Sequence, residues 1–332
     1  MPKNENQKLR LLYLLQILKT ETDEMHPMSL PRILEKLALQ NIVCERKTLY
    51  DDFRLLEEYG AEVIYNRGKD GGYYLTEREF EPCELKILTD AVQSAKFITH
   101  QKSQALIKKI QALGGKYAAS DLKKQTFIDN SIKTKNESIY YNIDKIFDAI
   151  TANSQIEFLY FEWVIDLKTP DKRTKSYRKS GENYRVSPLG LCWVDEYYYL
   201  IAYDEKAAAK RHYRVDKMEK VERTTMPRSG DSESIGLDTA DYIRPIFGMF
   251  GGTAVPLKLR FENRLIGVVI DRFGSDVFIT PDGDEHFNLS VNVTISPLFY
   301  SWIISFGGAA KIISPNSEAV AYKEFIKKAL EG

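Results

Sequence analysis

The sequence predicts a multidomain α+β protein, and three observations carry that prediction. A chain of 332 residues exceeds what one hydrophobic core usually serves. Its first part spaces apolar residues at helical intervals and closes on a glycine-rich hairpin pattern, whereas Gln155 to Asp216 is dense in aromatic and β-branched residues in strand-length runs. From Ala254 onward, strand and helix patterns alternate.

Composition narrows the function classes. With 43% hydrophobic and 28% charged residues, the chain falls in the range of ordinary globular proteins. Lys plus Arg equals Asp plus Glu at 47 each, so global charge gives no support to nucleic-acid binding and any such site must be local. Two stretches lean basic. Lys102 to Lys135, with Lys108, Lys109, Lys116, Lys123, Lys124 and Lys133, reads as a solvated helix face; Lys168 to Arg223 is the second. No apolar run approaches the roughly 20 residues needed to cross a bilayer, and Met1 to Arg10 lacks the apolar stretch of a signal peptide, so a cytoplasmic protein is expected. Cys44, Cys83 and Cys192 form no close pairs and read as reduced and structural.

Leu9, Leu12, Tyr13, Leu15, Ile17 and Leu18 predict a core-facing helix over Lys8 to Thr20. After a loop with Asp23 and Pro27, Ser29 reads as an N-cap, with Pro31 in the first turn of a second helix that buries Ile33, Leu34 and Leu37. A third helix runs from about Glu45 to Tyr59 and stops at Gly60, a natural left-handed cap. Leu49, Phe53 and Leu56 make its apolar face, while Arg46, Tyr50 and Arg54 recur on another. Cations near such an N-terminus, here Arg46 and Lys47, reach phosphates and guanine edges, and Thr48 and Tyr50 add phosphate or thymine-methyl contacts. Asp51 would repel phosphate. Asp52 falls on the apolar side and is expected to bond within the protein. On spacing alone any three-helix bundle fits equally well. The segment AEVIYNRGKDGGYYL that follows reads as a β-hairpin with Arg67 and Lys69 at its tip. Three short helices and a hairpin make a winged helix-turn-helix, whose wing lies along the backbone of double-stranded DNA.

Pro82 to Leu113 returns to helical spacing, fit for a dimer contact or for packing within one chain, and a further helix spans about Ser138 to Asn153. Gln155 to Val164, Asn183 to Val194, Tyr197 to Tyr203 and Arg211 to Asp216 read as strands of a small β-barrel. They interleave Tyr184, Arg185, Tyr199, Arg211, His212, Arg214 and Lys217, a set suited to stacking on bases while neutralising phosphates. Strand alternation forbids all seven from sharing one pocket, and the plain alternative is that the tyrosines are core and the charges solvate. Arg214 is the foremost candidate, with His212 on the same face. Thr224 to Thr253 has linker chemistry. The remainder reads βαββαβ with an added terminal helix, a ferredoxin-like sandwich.

Lys47-Thr48-Leu49 to Gly60 resembles the recognition helix of DeoR-like bacterial regulators. Members often carry Arg-Thr-Ile, one residue, then Arg-Asp-Leu here, so Lys47, Asp52 and Phe53 match in kind and Asp51 departs from the frequent Arg. YRVSPLGL, YYYLIAYD and RHYRVDKMEKVE resemble the landmarks of WYL-domain transcriptional regulators, with Tyr198-Tyr199-Leu200 in place of Trp-Tyr-Leu. The last domain resembles the C-terminal extension of that family, including Ser301-Trp302 and Phe306-Gly307. The resemblance implies a five-stranded Sm- or SH3-like barrel that senses a ligand, nucleic acid or nucleotide, at a site assigned here to Ser187, Tyr199, Arg211, His212, Arg214 and Lys217.

The expected organisation is therefore a winged helix-turn-helix over 1–80, a helical connector over 81–137, the barrel over 138–223, a linker over 224–253 and the C-terminal domain over 254–332. A homodimer is expected, because one recognition helix covers too few bases, with the 82–113 helix or the C-terminal domain as its interface. No catalytic constellation is legible. His26, His100, His212 and His286 lack metal-ligand spacing, and the Gly-Gly pairs lack the Lys-Ser/Thr of a phosphate loop, so no enzyme, metal or cofactor is expected. The rival reading is an RNA-binding or protein-interaction adaptor.

Overall fold

Leu14, Ile17 and Leu18 line one side of α1 (Arg10–Glu21) and are buried against Ile33 and Leu37 of α2 (Leu30–Leu39) and Leu49, Phe53 and Leu56 of α3 (Arg46–Tyr59). Each such side chain contributes about 1.5–3 kcal/mol by leaving water, so this cluster holds three short helices that could not persist alone. Gly60 ends α3 with φ 97°, its N–H reaching the Glu57 carbonyl. Ser29 occupies the N-cap position of α2 but makes no side-chain cap.

The computed structural model describes residues 9–68, 71–76, 78–125, 133–134, 136–229, 242–252 and 254–331, with the side chains of 121–125 left out. Lys69 at the expected wing tip and much of the expected linker lie outside the described set, as do the side chains of Lys123 and Lys124. The chain divides into two compact units, 1–135 and 136–332.

In the first unit β1 (Val63–Asn66) and β2 (Gly72–Leu75) form an antiparallel hairpin. Met28 adds a bridge to it, with Met28 N–H to Tyr73 O at 2.9 Å and Tyr73 N–H to Met28 O at 2.8 Å. Gly72 permits this approach, since a Cβ there would stand 2.4 Å from the Met28 carbonyl carbon. Helix α4 (Pro82–Ser94) opens with a Glu81/Glu84 capping box. The single helix expected over 82–113 is interrupted: the backbone turns extended at Ala95, Phe97 and Ile98 are buried, and the Thr99 hydroxyl caps α5 (His100–Leu113) by accepting from Lys102 N–H at 3.3 Å. Two buried apolar side chains and a good cap outweigh continuous propensity, and α5 folds back on α4. Helix α6 (Gly115–Gln125) completes the unit, with Tyr117 stacked on His26 at 3.7 Å.

In the second unit α7 (Ser138–Thr151) buries Ile139, Ile146 and Ala149, and Asn142 Nδ2 donates to Met218 O at 2.9 Å. It packs on a curled antiparallel sheet of β3 (Ser154–Ile165), β4 (Arg173–Tyr177), β5 (Tyr184–Val194), β6 (Tyr197–Asp204), β7 (Ala209–Arg214) and β8 (Met218–Pro227). Strand β3 is the hub: its first half pairs with β5 and β8, its outer half with β4 alone. Strands β4 and β8 are additions to the expected set, and β8 claims residues 224–227 from the expected linker.

The C-terminal part follows as β9 (Ala254–Glu262), α8 (Ile266–Phe273), β10 (Ile279–Asp282), β11 (His286–Thr294), α9 (Pro297–Ile304), β12 (Ala310–Ser314) and α10 (Asn316–Glu331). The strands lie in the order β10-β11-β9-β12, every neighbour antiparallel, over a core of Leu257, Leu259, Phe261, Leu289, Val293, Phe299 and Ile303. Residues 242–252 are packed rather than free. Ile246 and Met249 pack with Cys192 and Ile201 of the curled sheet, while Phe247 stands 5.2 Å from Phe299 in the C-terminal core. No described helix is long and apolar enough to cross a membrane.

Candidate nucleic-acid interface and effector cleft

The apolar side of α3 is pinned from beneath. Asp52, 2% exposed, accepts two hydrogen bonds from Arg10, at 2.6 Å from Nε and 2.9 Å from Nη2. The bonds to Asp52 raise the Arg10 pKa. This bidentate pair fixes the roll of α3 and leaves Arg46, Lys47, Tyr50, Asp51 and Arg54 exposed, with Thr48 half-buried. Arg54 reaches Glu58 at 3.7 Å. The hairpin supports the same surface: the Tyr73 ring stacks on Phe53 at 4.4 Å, and burial plus a hydrogen bond with Tyr50 push its phenol up to about 12. Arg67 is exposed just past the end of β1 in the same hairpin.

In the second unit, Phe158 at the centre of β3 gathers tyrosines from three strands. Tyr184 stacks on it at 5.5 Å, Tyr213 meets it edge-on at 5.1 Å, and Tyr160 lies at 6.3 Å. These tyrosines floor a cleft of about 380 Å³ whose wall carries Arg178, Lys179, Lys206 and Arg211, with Asp204 and His212 at its margin. A 3-10 turn at Arg178–Gly181 delivers the first two cations; there Lys179 (φ 52°), Ser180 (φ 54°) and Gly181 (φ 84°) are all left-handed. Two non-glycine residues in that region cost of order 1–3 kcal/mol each. The strained turn sets Lys179 Nζ 3.8 Å from the Tyr184 ring centre and the Arg178 guanidinium 5.6 Å from that of Tyr160. Arg178 also pairs with Glu162, holding that carboxyl below its ordinary range. Tyr213 donates to Asp204 at 3.3 Å, and burial, followed by the Asp204 charge, raises its pKa. Exposed cations around aromatic faces can take an anion that also carries a flat ring.

Residues 141–223 match the WYL domain and 253–330 match the WCX domain. The chain carries a WYL domain followed by a WCX domain. No curated protein matches the sequence. Similar solved structures include the proteasome accessory factor B/C (PafBC) of Arthrobacter aurescens, at 20% identity and a TM-score of 0.31 over 97% of this chain and 48% of that one. A CRISPR Cas-related protein is also similar, at 11% identity and a TM-score of 0.36 over 96% of this chain and 76% of that one. The chain thus spans about half the length of the PafBC chain.

The WYL cleft gathers only two of the six expected effector residues, Arg211 and His212. Ser187 is fully buried, its Oγ accepting from Ser229 N–H at 2.9 Å. Tyr199 pairs in register with Arg214 and packs against the cluster of Cys192, Ile246 and Met249. Arg214, expected as the principal anchor, is committed elsewhere: its guanidinium pairs with both Asp216 oxygens and lies 3.6 Å over the Tyr197 ring. Burial opposes its charge, but hydrogen bonds with Asp216 and Tyr197 outweigh that, and its pKa is raised. Lys217 follows in the adjacent 3-10 turn and does not line the cleft. His212 is bonded at both nitrogens, to Met249 O and Tyr242 OH, each at 2.9 Å. A carbonyl can only accept, so Nδ1 carries the proton and Nε2 accepts from the phenol. Burial lowers its pKa and keeps the ring neutral. Sequence reasoning missed Tyr160, Arg178, Lys179 and Lys206. The RKSG segment before β5 places the basic pair Arg178 and Lys179 ahead of a glycine turn, but nothing local in the sequence brings Tyr160 and Lys206 to them. Among the described residues, no group of three or more His, Cys, Asp or Glu could hold a metal ion.

Proposed function

We propose that this WYL-domain protein is a transcriptional regulator that binds double-stranded DNA through α3 and the wing and senses an anionic effector, a nucleotide or short nucleic acid, in the WYL cleft. The observation that carries the reading is the division of α3 into a locked face and an open one. Leu49, Asp52, Phe53 and Leu56 are buried, while Arg46, Lys47, Tyr50 and Arg54 are exposed and supported by Tyr73. A helix so held offers donors to phosphates and base edges without reorganising, the arrangement of a DeoR-like winged helix-turn-helix. Arg67 would place the wing on the backbone.

For the effector, four cations around a tyrosine floor favour a phosphate joined to an aromatic base. The cleft lining favours Arg178, Lys179, Lys206 and Arg211 over Arg214 as the cations that would meet it. The curled sheet supports an Sm- or SH3-like barrel, and the order β10-β11-β9-β12 supports a ferredoxin-like C-terminal domain. The regulator acts as a symmetric cytoplasmic homodimer on paired half-sites and catalyses no reaction. The test is a binding comparison on promoter fragments recovered by genomic mapping. Selective retention of duplex over the matching single strand or RNA supports the reading, and equal affinity for all three returns the adaptor reading.

A further inference from the structure

The outer half of β3 and strand β4 form a two-stranded arm that leaves the WYL sheet. Strand β4 is an edge, paired among the described residues only with β3. The register sets Trp163 opposite Lys175 and Ile165 opposite Arg173. Residues at alternate positions share a face, so Trp163, Ile165, Arg173 and Lys175 line one side of the ribbon. That side is unusual for a solvated hairpin: Trp163 is 54% exposed, Ile165 78% and Leu167, at the turn, 72%. The Arg173 guanidinium lies 5.5 Å from the Trp163 ring centre. Residues 163–179 hold six lysines and arginines against two aspartates in a chain whose charges otherwise balance. Lys175 is matched by Glu219. Lys168 and Arg173 form no ion pair with a described carboxylate.

The same domain carries the complementary surface. Helix α7 buries Ile139, Asn142, Ile146 and Ala149. Its outer side presents Tyr141 at 65% exposure and Phe147 at 63%, together with Asp144 and Asp148, which are exposed and have no ion-pair partner among the described residues. At 3.6 residues per turn these four occupy an arc of about 120°. One surface is basic and apolar, the other acidic and aromatic.

We infer that the arm of one copy docks on the α7 face of a second copy. Cations along β4 oppose edge-to-edge pairing of two arms, because like charges would meet, so the arm requires an acidic partner surface. The exposed aliphatics Ile165 and Leu167 favour a protein over nucleic acid, whose phosphates would meet the cations but give those side chains little to bury against. The aromatic rings of α7 give it. Under two-fold symmetry each arm engages the other copy's α7, so the contact occurs twice and closes. The inference rests on the homodimer reading above and assigns its interface to neither of the segments expected from the sequence.

The experiment is sedimentation equilibrium of the full chain in about 0.1 M salt, where screening still permits contact electrostatics. The wild type is compared with Asp144→Lys/Asp148→Lys, with Lys168→Glu/Arg173→Glu, and with the four changes combined. Each double variant is expected to weaken dimerisation at least tenfold and the combination to restore it to within threefold, with unchanged melting. Trp163→Ala, at an exposed site, provides a change that spares the fold and is expected to weaken the dimer comparably. A monomeric wild type refutes both the dimer reading and this interface. Dimers that ignore both charge reversals, or a combination that restores nothing, refute the interface alone. Loss of binding to labelled dodecathymidylate by Lys168→Glu/Arg173→Glu, with dimerisation intact, assigns the arm to nucleic acid instead.

Discussion

Arg214 and Asp216 form a two-point ion pair across the start of the 3-10 turn, Nε to Oδ1 at 3.0 Å and Nη2 to Oδ2 at 2.8 Å. Their side chains are only 27% and 19% exposed, so the pair is partly shielded from solvent. A guanidinium already satisfied by a carboxylate and an aromatic ring has little left for a ligand. Arg214→Ala is therefore expected to lower stability by about 1–2 kcal/mol, discounted for partial exposure, while binding of a labelled tetrathymidylate stays within twofold of wild type. Denaturant titration and fluorescence anisotropy separate the two. Loss of ligand binding without loss of stability would return Arg214 to the site.

The cleft cations are expected to behave in the opposite way. Lys179→Ala and Arg211→Ala each remove an exposed charge, so stability should hold while tetrathymidylate affinity falls about tenfold for each charge-assisted hydrogen bond removed. The dependence on salt should flatten in both variants. Anisotropy titrations at two ionic strengths check this, and unchanged affinity in the double variant places the effector elsewhere.

His212 makes the stability of the WYL domain depend on pH. Burial lowers its pKa below the unfolded value of 6.5. Above that value neither state is protonated at this ring, and the contribution to stability is complete. As pH falls from 6.5 toward the lower folded value, the unfolded state takes up a proton that the folded state refuses, and stability declines. His212→Asn keeps a donor for Met249 O without a titrating ring. The loss of melting temperature between pH 7 and pH 5 should be smaller in the variant than in wild type, and identical slopes would contradict the assignment.

Gly72 is where the β1–β2 hairpin meets the segment leading into α2. Adding a methyl that would stand 2.4 Å from the Met28 carbonyl carbon forces the strand bridge apart, and Gly72→Ala should cost on the order of 1–3 kcal/mol. Thermal melting of the variant checks this; a wild-type midpoint would show that the bridge does not hold the hairpin.

The helical wheel puts Asp52 among the apolar residues of α3, and there it is, bonded to Arg10. Patterns of that kind are local, and the sequence carries them. The break between α4 and α5 is not legible, because Phe97 and Ile98 continue an apolar pattern and only their burial turns the chain at Ala95. The cleft is hidden for a related reason. Lys179 and Ser180 adopt a left-handed conformation that no propensity assigns to them, and Lys206 joins them from the turn between β6 and β7 of the curled sheet. Arg214 and Asp216 lie two residues apart, close enough for their pairing to be weighed from the sequence. The aromatic neighbours of Arg214 point instead to a ligand site.

The proposed DNA binding rests most directly on the open face of α3. Arg46, Lys47 and Tyr50 are exposed, so replacing all three with alanine should leave melting unchanged. Removing each base-edge interaction should cost about 1–3 kcal/mol of operator binding. The decisive measurement is the affinity of that triple variant for a mapped promoter duplex, read beside wild type at one salt concentration. A fall of at least tenfold with an intact fold is the predicted result, and an unchanged affinity would contradict the assignment of α3 to DNA.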